Sequence, residues 1–153
     1  ANLDRQGLTD TIREFIGRDK PFLGICLGFQ CLFDSSEEAP GCAGLGVFRG
    51  SVPRFDPRVG KVPHMGWNRL RFRQPGCPLL RGVPDGSYVY FVHSYYCRPE
   101  SAALVCATTD YGGEFCSMLW TRNVFAVQFH PEKSQAVGLT MLENFVALAR
   151  NGT

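Results

Sequence analysis

A short apolar strand running straight into a helix through Gly24-Ile25-Cys26-Leu27-Gly28 leaves this chain few folds to choose from. Phe22-Leu23-Gly24-Ile25 follows Pro21 and reads as a buried strand, and Gly28 to Phe33 reads as the start of a helix. Strand and helix must then share a core in adjacent layers, so the pattern predicts an α/β chain. The turn itself spells glycine, any residue, candidate nucleophile, any residue, glycine. At so tight a corner, side chains two residues on either side of Cys26 would clash, which selects Gly24 and Gly28. The thiol is placed at a helix N-terminus, where the dipole favours the thiolate. The backbone N–H of Leu27 can point at a developing oxyanion. Taken alone, the same five residues also describe a buried cysteine with glycines for packing, since cysteine is among the most buried residue types.

The remaining elements fit a sheet with helices packed on it. Leu8, Ile12, Phe15 and Ile16 fall at helical spacing, and Pro21 stops that helix. Residues 46–72, rich in Val, Phe, Arg and Pro, read as strands joined by turns, and 88–92 and 103–108 read as two more strands. Residues 124–129 form a nearly unbroken apolar run, which predicts a strand covered on both faces. A last helix has Ser134 near its start and Asn151-Gly152 after its end, with Val137, Met141, Phe145, Leu148 and Ala149 on its core face. No repeat, linker or low-complexity segment divides the chain, so one domain over 1–153 is expected.

His130 ends the apolar run and is followed by Pro131-Glu132. Proline pushes the preceding residue into an extended conformation, and residues two apart in an extended chain point to one side. His130 and Glu132 can therefore lie side by side, the carboxylate fixing the tautomer of the imidazole. The bland alternative is a histidine that merely terminates a strand. A thiol and an imidazole each just past a short apolar strand is the arrangement by which α/β sheets build sites.

Composition narrows the classes. The net charge of +2 is too small to argue for nucleic acid, and no apolar run is long enough for a membrane span. Seven cysteines is an odd number in a chain long enough to bury a core, which predicts reduced thiols of a cytoplasmic protein rather than a disulfide framework. With no CxxC pair and only three histidines, no metal site is expected, and no phosphate-cradling loop implies a cofactor. Positions 49–81 hold eight of the sixteen Lys and Arg residues and one acid, Asp56. Arg69, Arg71 and Arg73 alternate and share one face of a strand, either a solvated face or one that meets a partner or anion.

Together, Gly24 to Gln30 and His130-Pro131-Glu132 resemble the class I glutamine amidotransferases. Val62-Pro63-His64-Met65-Gly66-Trp67-Asn68 and His130-Pro131-Glu132-Lys133-Ser134 are similar to the glutaminase subunits of imidazole glycerol phosphate synthases within them. The resemblance implies a flavodoxin-like α/β sheet flanked by helices, with Cys26, His130 and Glu132 as a catalytic triad and Leu27 as an oxyanion donor. It implies glutamine as substrate, held by Gly28, Gln30 and Glu38 and by the His93-Ser94-Tyr95 segment. Tyr95 and Tyr96 have strand-end packing as their plain alternative. It further implies a (β/α)8 cyclase subunit as partner, met by Pro63, Met65, Trp67, Asn68 and Lys133, and fed with ammonia for histidine biosynthesis. The plain alternative for Trp67 is ordinary core.

One departure stands against the pattern. Family members open with a strand–helix–strand unit whose Pro-Gly-rich loop supplies a second oxyanion donor, and no such loop precedes Cys26. An oxyanion donor is worth about 100- to 1000-fold in turnover, so the resemblance implies a poorly active and less stable chain. Rival readings are a glutaminase for another synthase, a cysteine peptidase or γ-glutamyl hydrolase, and a catalytically impaired protein-binding domain of the same fold.

Overall fold

The computed structural model describes residues 2–151. Helices α1 (Asn2–Arg5) and α2 (Leu8–Gly17) lead into β1 (Phe22–Ile25) and the single-turn α3 (Leu27–Gln30). The middle of the chain supplies β2 (Ser35–Ser36), β3 (Gly50–Val52), β4 (His64–Arg69), β5 (Arg71–Phe72), β6 (Tyr88–His93) and β7 (Arg98–Pro99). It closes with β8 (Val105–Asp110), β9 (Glu114–Thr121), β10 (Val124–Val127) and α4 (Gln135–Asn151). The central sheet has the order β1-β10-β9-β8-β5, beside a β2-β3-β7 sheet and a β4-β6 pair. β1 runs parallel to β10, with Gly24 opposite Ala126 and Ile25 opposite Val127. The β10–β9, β9–β8 and β8–β5 pairs are antiparallel.

The apolar runs of β1 and β10 are explained by two cores. Val124 and Ala126 face Phe29, Phe33, Leu119 and the half-buried Ile12 and Ile16 of α2 on one side of the sheet. Phe125 and Val127 face Met118, Phe129 and Met141 on the other, where Val137, Phe145 and Leu148 of α4 cover them. All four residues of β10 are buried, as a strand covered on both faces requires. Gly138 lets α4 approach closely: a Cβ there would meet the carbonyl oxygen of Pro131 at 1.9 Å.

Several expectations change in detail. The first helix ends at Gly17, where Arg18 donates its N–H to Glu14 and Asp19 turns left-handed at φ 57°, so the stop precedes Pro21. Its apolar face is only half covered, with Leu8 and Phe15 exposed. The helix after Cys26 is a single turn, not a run to Phe33. Asn151 is the last helical residue of α4 rather than a residue beyond it, and Gly152 lies outside the described residues. Residues 103–108 divide into a 3-10 turn (Ala102–Leu104) and the start of β8. Sequence reasoning passed over β9 altogether, although at eight residues it is the longest strand described. Its signal was the Gly112-Gly113 pair before it: Gly112 has φ +66°, and a Cβ there would lie 2.5 Å from Val59. The three arginines do not share a face. Arg69 ends β4 and donates to the Tyr88 hydroxyl at 2.8 Å, whereas Arg71 and Arg73 lie at 3.8 and 2.5 Å from Glu114 of β9.

Candidate active site

Because β1 and β10 are parallel neighbours, their carboxyl ends emerge side by side. The register that pairs Ile25 with Val127 brings Cys26 next to Gln128, and Cys26 N–H donates to the Val127 carbonyl at 2.8 Å. Cys26 takes φ 51° and ψ −105°, a backbone that a non-glycine residue adopts only where the surroundings force it. Gly24 is one cause: a Cβ there would lie 2.9 Å from the carbonyl oxygen of Gly28. Gly28 itself is not sterically required, since a Cβ there meets nothing within 4 Å, which corrects the expectation that both glycines are selected by clash.

His130, extended at φ −100° and ψ 97°, is anchored by its N–H donating to the Tyr90 carbonyl at 2.9 Å. Its Nδ1 lies 2.7 Å from Glu132 Oε1. A carboxylate accepts there, so Nδ1 carries the proton and Nε2 keeps its lone pair. The two side chains meet across a 3-10 turn, Pro131–Lys133, rather than along the extended segment that the proline suggested. Ser134 locks the turn, its hydroxyl donating to the His130 carbonyl and accepting from Tyr90 N–H.

The thiol is not poised as a thiolate. Burial pushes the Cys26 thiol up from its ordinary value; the Leu27 N–H and the Gln128 amide pull it down, while Glu38 and Glu132 push it up further. A helix of one turn supplies little dipole against that burial. The hydrogen bond to Sγ from a side chain comes from Gln128 Nε2 at 3.6 Å, not from the imidazole.

Gln30 is buried, and its Nε2 donates to the Tyr95 carbonyl and to Gln128 Oε1, each at 3.1 Å. Leu27, Gly28, Gln30 and Glu38 line a cavity of about 480 Å³ that reaches back to Ile12 and Phe22. The Ser94 carbonyl accepts from Phe55 N–H. His93 is buried beside His64, and the pair forms a directed chain. Asn68 Nδ2 donates to His64 Nε2 at 3.3 Å, His64 Nδ1 to His93 Nε2 at 3.0 Å, and His93 Nδ1 to the Tyr95 carbonyl at 2.7 Å. The amide at one end and the carbonyl at the other fix both rings as neutral tautomers, and burial holds each pKa down at about 4.

Of the expected partner residues, Met65 and Trp67 stand 62% and 46% exposed on β4, which sets aside ordinary core as the reading of Trp67. Trp67 meets Tyr90 edge-on at 6.0 Å, and Tyr90 in turn adjoins the turn that carries the exposed Lys133. Pro63 is half-buried. Asn68 is turned inward: besides His64, its amide donates to the Asp110 carbonyl at 2.9 Å.

Comparison with known proteins fits this geometry. The glutamine amidotransferase class-I profile matches residues 2–149. This chain belongs to the class I glutamine amidotransferases. An imidazole glycerol phosphate synthase subunit HisH from Moorella thermoacetica is 51% identical over 151 residues, covering 99% of this chain and 71% of that protein. The Methanocaldococcus jannaschii subunit of the same name is 50% identical, covering 92% and 70%. A solved glutamine amidotransferase superimposes with a TM-score of 0.68 at 20% identity, covering 97% of this chain and 71% of that one. One from Thermotoga maritima gives 0.61 at 22%, covering 96% and 54%. The fold is thus the amidotransferase α/β fold with a mixed sheet.

Two residues of this candidate site escaped sequence reasoning. Gln128 was visible as the one polar side chain inside an apolar run, where a buried amide must find partners. Tyr90 had no such signal, because its place between Trp67 and His130 arises from strand pairing. All seven cysteines are free, with Cys77, Cys97, Cys106 and Cys116 in the core. No helix among the described residues is long and apolar enough to cross a membrane, and none of their His, Cys, Asp and Glu side chains form a cluster able to hold a metal.

Proposed function

We propose that the chain hydrolyses glutamine to glutamate and ammonia, with Cys26 as nucleophile, His130 as proton carrier and Glu132 as the group that orients it. The observation that carries this reading is that a strained cysteine turn and a carboxylate-oriented imidazole follow the neighbouring carboxyl ends of β1 and β10. The sulfur attacks the side-chain amide carbon, with its proton passing to His130 Nε2. The oxyanion that forms is met by the N–H of Leu27. His130 then protonates the departing amine, ammonia leaves, and a water deprotonated by His130 hydrolyses the thioester. Gly28, Gln30 and Glu38, which line one cavity, and backbone groups of the His93-Ser94-Tyr95 segment, which lies outside that cavity's lining, hold the substrate.

The ammonia is supplied to a (β/α)8 cyclase subunit that makes imidazole glycerol phosphate in histidine biosynthesis. Support comes from relatives at about half identity that are named as subunits of that synthase, and from the exposed Met65, Trp67 and Lys133 beside the site. The test is glutamate release from glutamine with and without the cyclase and its ribotide ligand, beside Cys26→Ala. Activity that rises with the cyclase and disappears in the variant supports the reading. Activity that persists in Cys26→Ala, or that answers only to another synthase, overturns it.

A further inference from the structure

Gln128 is fully buried, and its amide uses both ends. Oε1 accepts from Gln30 Nε2 at 3.1 Å, and Nε2 faces Cys26 Sγ at 3.6 Å. Its backbone N–H is already spent on the Ser117 carbonyl at 2.9 Å, so strand pairing does not need the side chain. A buried amide that served packing alone would be better replaced by an apolar residue, as at Val124, Ala126 and Phe129 around it. The direction of the amide is set by its neighbours. Gln30 donates to it, so the oxygen must face Gln30 and the N–H must face the sulfur.

We infer that Gln128 is a positioning residue for glutamine hydrolysis, coupling the substrate-side amide of Gln30 to the Cys26 sulfur and holding an N–H against the thiolate. The inference rests on the reading of Cys26 as nucleophile. An N–H donor is worth most to a sulfur that bears charge, so Gln128 matters more once the proton has left Cys26 than before. Gln30 orients Gln128 in turn, and a substrate that engages Gln30 is thereby linked to the nucleophile through one rigid buried amide. The charges of Glu38, just after β2, and of Glu132, in the turn beyond β10, also act on the thiol, and Cys26 acts in turn on Cys97, just before β7. A Gln128→Met change leaves those groups in place and removes the amide from a side chain of similar shape.

The experiment is the pH dependence of Cys26 alkylation by iodoacetamide, read by peptide mass so that Cys31 and Cys42 are separated from it. Gln128→Met should raise the midpoint at Cys26 by about one pH unit, the usual worth of a hydrogen bond to a charged group. A change that only loosened packing would lower the melting temperature and leave the midpoint where it was; an unmoved midpoint overturns the inference. If Gln128→Met does not fold, the unaltered chain decides: the side-chain amide proton of Gln128 should shift in NMR spectra as Cys26 titrates, and a stationary signal overturns the inference equally. Glutaminase activity that survives Cys26→Ala would instead remove the nucleophile reading on which the inference rests.

Discussion

Lowering the pH from 7 to 4.5 should destabilise this fold through the His64–His93 pair before most carboxylates titrate. His64 is stacked between Phe91 and Tyr111, at ring distances of 4.8 and 3.9 Å, and His93 packs on Phe55 and Phe115. Each free ring nitrogen already accepts a hydrogen bond, so a second proton on either ring would oppose a donor. Both pKa values are depressed, to about 4. The unfolded chain therefore binds more protons than the native one between pH 6.5 and about 4, and stability present at neutral pH is lost as pH falls through that window. A drop of 2.5 units for one histidine, at roughly 1.36 kcal/mol per unit, amounts to about 2.5 kcal/mol lost by pH 4.5. The two rings share a hydrogen bond, so the pair loses less than twice that. Urea unfolding of the chain and of His64→Gln at both pH values measures it. The variant should lose about 2 kcal/mol less than the parent over the interval, whatever its offset at pH 7. Parallel losses would refute the assignment of a neutral, hydrogen-bond-locked pair.

Three further outcomes follow from the same structure. Gly24→Ala drives a Cβ to 2.9 Å from the Gly28 carbonyl and should cost about 1–3 kcal/mol in denaturant unfolding, while Gly28→Ala, with open space around it, should leave stability within about 0.5 kcal/mol. Glu132→Gln leaves the imidazole without its carboxylate; turnover should fall by about 10- to 1000-fold, less than for a buried triad because Glu132 is half-exposed, and an unchanged kcat would deny it the orienting role. Trp67→Ala should leave the melting temperature nearly unchanged yet weaken binding to the cyclase by about 30-fold, as measured by calorimetry; equal affinity would remove Trp67 from the interface.

How much was legible in the sequence follows from what each residue's neighbours in the chain could reveal. β1, the corner at Cys26 and the apolar run of β10 were readable because local pattern and buried environment agree there. His130 and Glu132 were paired correctly but for the wrong local reason, since a 3-10 turn rather than an extended chain brings them together. The rise in the Cys26 pKa was not legible: it depends on burial by residues far along the chain, and the short α3 leaves little dipole to oppose it. The same limit hid β9, whose signal lay in the Gly112 turn, and misplaced Arg69 relative to Arg71 and Arg73, because the buried Leu70 marks a change of sheet that alternation alone cannot show. Asn68 looked like a contact residue, yet its amide is committed to His64 and Asp110.

The central claim is that one of seven free thiols is the nucleophile for glutamine. Incubation with a thiol-reactive glutamine analogue, followed by peptide mass analysis, tests it most directly. The account predicts a single adduct, on Cys26, that glutamine suppresses and His130→Ala slows. An adduct on another cysteine, or labelling of Cys26 that glutamine does not compete with, would contradict it.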